Sequence, residues 1–310
     1  MNLEWRLRIA LWLLRRTGGG RRLHMMTPTE ARAALRAQTV GSRAERLHGR
    51  PPVMAEVRDV QAVGLARDIP IRIYRPPRAR GALVFFHGGG FVTGGIDEAD
   101  IECRRLADMS RRVVCSVGYR LAPEHRFPAA VDDALGAFNW LADNAASLGI
   151  DRDAMAVAGE SAGGTLAAVV AQVTRATDPA LIDRQVLIYA GCDAAGHYPS
   201  RSSPERPPIL APADVDWSHR HYLDSPADID DPRVSPLRGN LRGLPPTMIV
   251  VAELDPLRDE GIAYANALLA AGCDVDLRRY PRQPHGFLLL GRLSGQSERA
   301  FDDIGRFLRR

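Results

Sequence analysis

Ser161 stands in Gly159-Glu160-Ser161-Ala162-Gly163, between the apolar Met155-Ala156-Val157-Ala158 and an Ala/Val-rich run that continues to Ala176. The order reads as strand, sharp turn, helix, and glycines on both sides of the serine leave space where a Cβ would block so tight a turn. Such a turn lifts the serine hydroxyl off the carboxyl edge of a sheet and sets the Ala162 N–H at a helix N-terminus, ready for a developing oxyanion. Serine is a poor nucleophile at its own pKa. Acyl transfer through Ser161 therefore needs a base within hydrogen-bond reach and a carboxylate to fix that base's tautomer.

His285 lies in Gln283-Pro284-His285-Gly286-Phe287, directly after a strand-like stretch over 274–280. Of the other histidines, His24 and His48 precede the sheet, His87 and His125 precede the serine, and His197, His219 and His221 fall in a polar insertion. His285 alone follows the last core strands. Asp255 comes after the apolar Met248 to Ala252 and before Pro256, at the carboxyl end of a strand, with Glu253 and Asp259 as rivals in the same stretch. Asp259 and Glu260 fit the first turn of the next helix, where its dipole favours acids. Serine, acid, histidine is one of the chain orders in which such triads recur.

The second half of an oxyanion site is expected at His87-Gly88-Gly89-Gly90-Phe91, which follows the apolar 82–86. Consecutive glycines cost backbone entropy, but they let main-chain N–H groups approach a substrate oxygen unobstructed. His87 reads as an anchor for that loop rather than a base. The His219-x-His221 pair lacks a third ligand at a recognisable spacing, so no metal site is expected.

Positioning these groups requires a mostly parallel sheet covered on both faces, since strand-like and helix-like segments alternate from about residue 53 to 280. Ile69, Ile71 and Ile73 alternate with Pro70, Arg72 and Tyr74, as in a half-exposed strand; 82–86, 113–117, the strand before Ser161, 186–189 and 248–252 are continuous apolar runs. Val131, Leu135, Phe138 and Ala142 mark one helix face, and 162–176 a second helix. One domain spans 1–310, with a cap over the site formed by about 1–50 and 196–231. In the first of these, Leu3, Leu7, Leu11 and Leu14 fall on one face of an amphipathic helix too short to span a bilayer.

Bulk properties exclude whole mechanisms. Every one of the 41 Lys-plus-Arg positions is arginine, so there is no P-loop lysine, no Schiff base and no Ser-x-x-Lys pair. A net charge of +4 spread over 310 residues gives no basic block for nucleic acid. The four cysteines, Cys103, Cys115, Cys192 and Cys273, form no C-x-x-C pair or zinc spacing, which suits reduced buried thiols and a cytoplasmic setting.

Taken together, the chain resembles the bacterial hormone-sensitive-lipase-like (family IV) esterases of the α/β-hydrolase fold over about residues 50–305. The similarity rests on His87-Gly-Gly-Gly-Phe91, Tyr119-Arg-Leu-Ala-Pro-Glu-His125, Phe127-Pro-Ala-Ala-Val-Asp-Asp133, Gly159-Glu-Ser-Ala-Gly-Gly164, Asp255-Pro-Leu-Arg-Asp-Glu-Gly261 and His285-Gly-Phe287. The resemblance implies a mostly parallel eight-stranded sheet with a helical cap and a triad of Ser161, Asp255 and His285. It also implies oxyanion N–H groups from Gly89, Gly90 and Ala162 with Gly88 nearby, small ester substrates of short or medium acyl chain, no cofactor, and pairing of two copies through sheet edges. Glu160 departs from the Asp more usual there, Gly118 from an acidic residue and Thr165 from Asn. Amide or N-acyl hydrolysis, acyl transfer, and a non-catalytic receptor on the same fold are the alternatives; plant receptors of that kind have lost the histidine that is present here.

Overall fold

A computed structural model describes residues 7–9, 22–41, 45, 48–64, 66–202 and 208–310. Its centre is an eight-stranded sheet in the order β1-β2-β4-β3-β5-β6-β7-β8. The strands are β1 Glu56–Ala62, β2 Ile69–Arg75, β3 Ala82–Phe86, β4 Val113–Val117, β5 Met155–Glu160, β6 Ile182–Ile188, β7 Thr247–Leu254 and β8 Val275–Pro284. Only β2 runs against its neighbours; from β4 to β8 every pairing is parallel. The apolar runs of β3, β4 and β5 are buried throughout, as strands covered on both faces must be.

Seven α-helices of two turns or more are described: α1 Pro28–Thr39, α2 Asp100–Ser110, α3 Ala129–Asp143, α4 Ala162–Thr177, α5 Pro212–Tyr222, α6 Arg258–Ala270 and α7 Ser297–Leu308. One apolar layer joins Val131 and Phe138 of α3, Leu166 and Val170 of α4, and Tyr264 and Leu268 of α6 to one face of the sheet. The other joins Leu106 of α2 and Phe301, Ile304 and Phe307 of α7 to the opposite face. Leu135, expected on the buried stripe of α3, is only partly buried at the rim of its layer. Tyr74 departs from the half-exposed reading of β2. It is fully buried, because α2 covers that face and Arg104 lies over its ring at 5.6 Å.

The pairing register places the site. Phe86 is opposite Gly159, Glu160 opposite Ile188, Ile188 opposite Val250, and Leu254 opposite Pro284. The residues just past these strands, His87, Ser161, Tyr189, Asp255 and His285, therefore emerge along one edge. Open parallel sheets bind ligands at this edge.

Described residues of the two segments that interrupt the alternation, among them Leu35 and Val215, line the cavity at this edge. Thr27 and Glu30 cap α1 reciprocally, Glu30 N–H to Thr27 Oγ1 at 3.3 Å and Thr27 N–H to Glu30 Oε2 at 2.9 Å. Asp214 of α5 binds the segments together. One of its oxygens accepts the His24 N–H at 2.9 Å and contacts His24 Nδ1 at 2.6 Å, and the other accepts the Ala211 N–H at 2.8 Å. Leu7 is helical and buried; Leu3, Leu11 and Leu14 of the expected amphipathic helix lie outside the described residues.

Candidate active site

Ser161 joins β5 to α4 with φ 52° and ψ −121°, a conformation rare for a residue with a side chain. Its neighbours must be glycine. A Cβ on Gly159 would sit 2.1 Å from the Gly163 carbonyl oxygen, and one on Gly163 2.0 Å from that of Phe86. The turn is held by the Ser161 N–H donating to the Ile188 carbonyl at 2.9 Å.

His285 Nε2 lies 2.9 Å from Ser161 Oγ, and its Nδ1 lies 2.7 Å from Asp255 Oδ2. A carboxylate can only accept, so Nδ1 carries the proton and Nε2 is left to receive the serine's. Asp255 is fixed in turn by the Leu257 N–H, which donates to Oδ1 at 2.9 Å. Burial alone would lower the imidazole's pKa. The Asp255 charge and hydrogen bond reverse this, with Glu160 and Glu260 adding to them, and the net shift is upward from 6.5.

The rival acids are engaged elsewhere. Glu253 is exposed and accepts the Arg282 N–H at 2.8 Å. Asp259 pairs with Arg258 at 2.7 Å and accepts the Ser200 N–H at 2.8 Å. Glu260 is fully buried, accepting the N–H groups of Cys192 and Asp193, both at 2.8 Å, and pairing with Arg201.

Gly88, Gly89, Gly90 and Ala162 line the same cavity as Ser161 and His285, a space of about 1030 Å³. Gly89 (φ 122°) and Gly90 (φ 62°) need glycine for backbone reasons, and a Cβ on Gly90 would also meet Ser218 Oγ of α5 at 2.3 Å. Gly88 is glycine for a different reason, since its Cβ would lie 2.6 Å from Glu160 Oε1. His87 holds the loop from behind. Its Nδ1–H donates to the Gly88 carbonyl at 2.8 Å, its ring stacks on Tyr119 at 4.2 Å, and burial pushes its pKa down to about 4.

The overlying helices grip the segment beyond the loop. Arg32 of α1 donates to the carbonyls of Val92 and Ala122, both at 2.8 Å, and Phe91 stacks on Tyr222 of α5 at 3.8 Å. His219 faces the cavity, while His221 turns to the Trp217 carbonyl at 2.8 Å, so the His-x-His spacing does not converge. Among the described residues no group of three or more His, Cys, Asp or Glu could hold a metal ion, and no helix is long and apolar enough to cross a membrane. Sequence reasoning missed Tyr189 and Glu102, which also line this cavity. Tyr189 was findable, because it comes after a parallel strand as Ser161 does. Glu102 was not, since nothing in α2 marks a helix acid as pointing inward.

Residues 83–289 match a family profile described as the α/β hydrolase fold. Ethyl acetate hydrolase of Pseudomonas putida is 40% identical over 237 residues, spanning 74% of this chain and 74% of that protein. Carboxylic ester hydrolase LipN of Mycobacterium tuberculosis is 42% identical over 271 residues, covering 84% of this chain and 71% of that one. A hyperthermophilic esterase from the archaeon Pyrobaculum calidifontis superposes with a TM-score of 0.93 at 37% identity, over 100% of this chain and 98% of the other. Sheet order, strand-end placement and these similarities agree with the six sequence blocks: the chain belongs to the α/β-hydrolase fold family, in its hormone-sensitive-lipase-like branch.

Proposed function

We propose that Ser161, His285 and Asp255 are the nucleophile, base and orienting acid of a carboxylic-ester hydrolase that takes short- to medium-chain acyl esters without a cofactor. Ser161 Oγ attacks the ester carbonyl carbon while His285 Nε2 takes its proton, and the N–H groups of Gly89, Gly90 and Ala162 receive the oxyanion. His285 then protonates the departing alkoxide, leaving an acyl-serine. Water, deprotonated by the same imidazole, attacks that ester and frees the acid. Asp255 keeps the imidazole in the Nδ1–H tautomer and stabilises it when charged.

The observation that carries this reading is the continuous relay from Oγ through imidazole to carboxylate, at 2.9 and 2.7 Å, inside a cavity bordered by the glycine loop. Ester hydrolysis is also what the named relatives share, and ethyl acetate, in the name of one of them, is a short ester. A series of p-nitrophenyl esters from acetate to palmitate tests it, together with phosphonate labelling. Highest kcat/KM at eight carbons or fewer and a labelled Ser161 are expected. Folded protein that is inert and unlabelled would favour a receptor, and faster cleavage of matched anilides would move the assignment to amides.

Three coarser expectations accompany the proposal. Segments 1–50 and 196–231 act as the cap of one domain, a role consistent with the bonds from Asp214 and Arg32. Location in the reducing cytoplasm is consistent with four buried, unpaired cysteines. Two copies pair through a sheet edge such as β8, which has no neighbouring strand on its outer side among the described residues; elution as a monomer in light scattering would overturn this.

A further inference from the structure

Two carboxyl groups outside the relay lie buried beside the cavity that it borders. Glu160 precedes the nucleophile and Glu102 projects from α2; both line the cavity, with exposures of only 8% and 2%. Burial pushes both pKa values up, but their surroundings differ. Glu160 Oε2 accepts the Tyr189 hydroxyl at 2.6 Å, and the Gly88 main-chain amide also favours its charged form. Glu102 Oε1 has no hydrogen-bond partner among the described residues. Where two neighbouring carboxyls compete for a proton, the one without donors keeps it, so Glu102 is neutral and Glu160 charged.

The Glu160 carboxylate touches both halves of the reaction centre. Toward the oxyanion loop it fills the space a Gly88 side chain would need. Toward the base it holds Tyr189, whose ring packs on the His285 imidazole with centroids 4.8 Å apart. Tyr189 has little freedom of its own, since its φ is 37° and its N–H donates to the Val250 carbonyl at 2.7 Å.

We propose that Glu160 is a positioning residue that couples the oxyanion loop, through Gly88, to the general base, through Tyr189, and that its negative charge tunes that base. The inference rests on the ester-hydrolase reading. The groups acting on His285 are Asp255, Glu160 and Glu260. Around Glu160 stand Tyr189, Glu102, Tyr119 and Cys103, all held neutral by burial. Removing the Glu160 charge therefore makes the imidazolium less favourable, and the neutral base persists to lower pH.

Glu160→Gln tests this, because it preserves shape and removes charge. The expected result is a fall in kcat of about tenfold, less than for outright loss of an oxyanion donor, with KM within about twofold and the acid limb of kcat/KM moved to lower pH. A merely structural role would leave that limb in place. Tyr189→Phe keeps the ring and should lower kcat in the same way by a smaller factor, and the double variant should fall no further than Glu160→Gln alone. An active wild type whose folded Glu160→Gln variant keeps both kcat and acid limb overturns the inference, as do additive losses in the double variant. Should Glu160→Gln fail to fold, Tyr189→Phe decides, and a wild-type rate and pH profile there are equally fatal. A wild type that neither cleaves p-nitrophenyl butyrate nor reacts with a phosphonate removes the inference together with the reading beneath it.

Discussion

The four central strands end in opposite ways. At their amino ends one buried side chain, Arg112, donates to the carbonyls of Ala82, Ala154 and Leu308 at 3.2, 3.0 and 3.0 Å and grips both oxygens of Asp183 at 3.0 and 2.5 Å. One residue thereby ties together the starts of β3, β4, β5 and β6 and the end of α7. At their carboxyl ends the same strands deliver a glycine loop, a serine in an unfavourable backbone conformation, and a tyrosine in another. Among the described residues, five with side chains have positive φ, and three of them, Phe91, Ser161 and Tyr189, lie just past β3, β5 and β6. Arg111 and Arg282 are the others, and Arg111 closes α2 in the ordinary left-handed way.

The contrast teaches where a fold places its polar groups and for what purpose. Both ends bury charge, which is costly unless paired. At the amino end the charge is matched on every side, so it fixes geometry. At the carboxyl end the neutral Glu102 leaves Oε1 without a hydrogen-bond partner among the described residues, His285 is shifted upward, and a cavity of about 1030 Å³ opens beside them. Strain of about 1–3 kcal/mol per unusual residue persists there because the surroundings fix the chain, as the Ser161 and Tyr189 N–H groups show by donating to the Ile188 and Val250 carbonyls.

Substitutions at the two ends should separate rate from stability. Ser161→Ala should remove roughly 10⁶-fold in kcat, the scale on which triads lose function, while leaving the melting temperature unchanged, since alanine keeps the Cβ and with it the strained turn. Asp255→Asn should cost roughly 10⁴-fold through the wrong tautomer; a near-wild-type rate would move the acid to Glu253 or Asp259. Arg112→Met does the reverse. It leaves Asp183 and three carbonyls without their partner, and should cost about 3–5 kcal/mol in stability with kcat of the folded enzyme unaltered. Thermal melts and steady-state rates on the same preparations check all three. A slow Arg112→Met enzyme of normal stability would erase the distinction between the ends.

Legibility in the sequence divides along the same line. The carboxyl end was largely legible, since strand-terminal placement of Ser161, Asp255 and His285 comes from apolar runs and the tight turn they feed. Gly88 was legible only in part. Its place in the triplet groups it with the glycines that free main-chain N–H groups, but its missing side chain makes room for Glu160, a contact across two strands that no local pattern records. The amino end was illegible, because Arg112 is one arginine among 41 basic residues and nothing nearby in the chain distinguishes it. Tyr74 eludes the pattern for a related reason: alternation along β2 reports its own pleat, not whether α2 lies over it.

Acid offers the mildest way to sharpen the comparison. In the proposed role of base His285 must be neutral, and its pKa is raised above 6.5 by Asp255 against the pull of burial. The active fraction should therefore fall with decreasing pH from above 6.5, about tenfold per unit and with a slope of one. His87, lowered to about 4 by burial, stays neutral across that range, so the loop behind the oxyanion site should not add a second proton to the slope. Stability obeys a different curve. The unfolded chain protonates His87 near 6.5 and the folded chain only near 4, so this contribution is complete above 6.5 and declines on acidification toward 4, by at most about 1.4 kcal/mol per unit. Activity measured after brief exposure to pH 5.5 and return to pH 7.5 should recover fully, because the loss is protonation of the base and not release of the clamp at the other end of the strands. A slope of two, or a loss that persists after neutralisation, would mean that the two ends fail together.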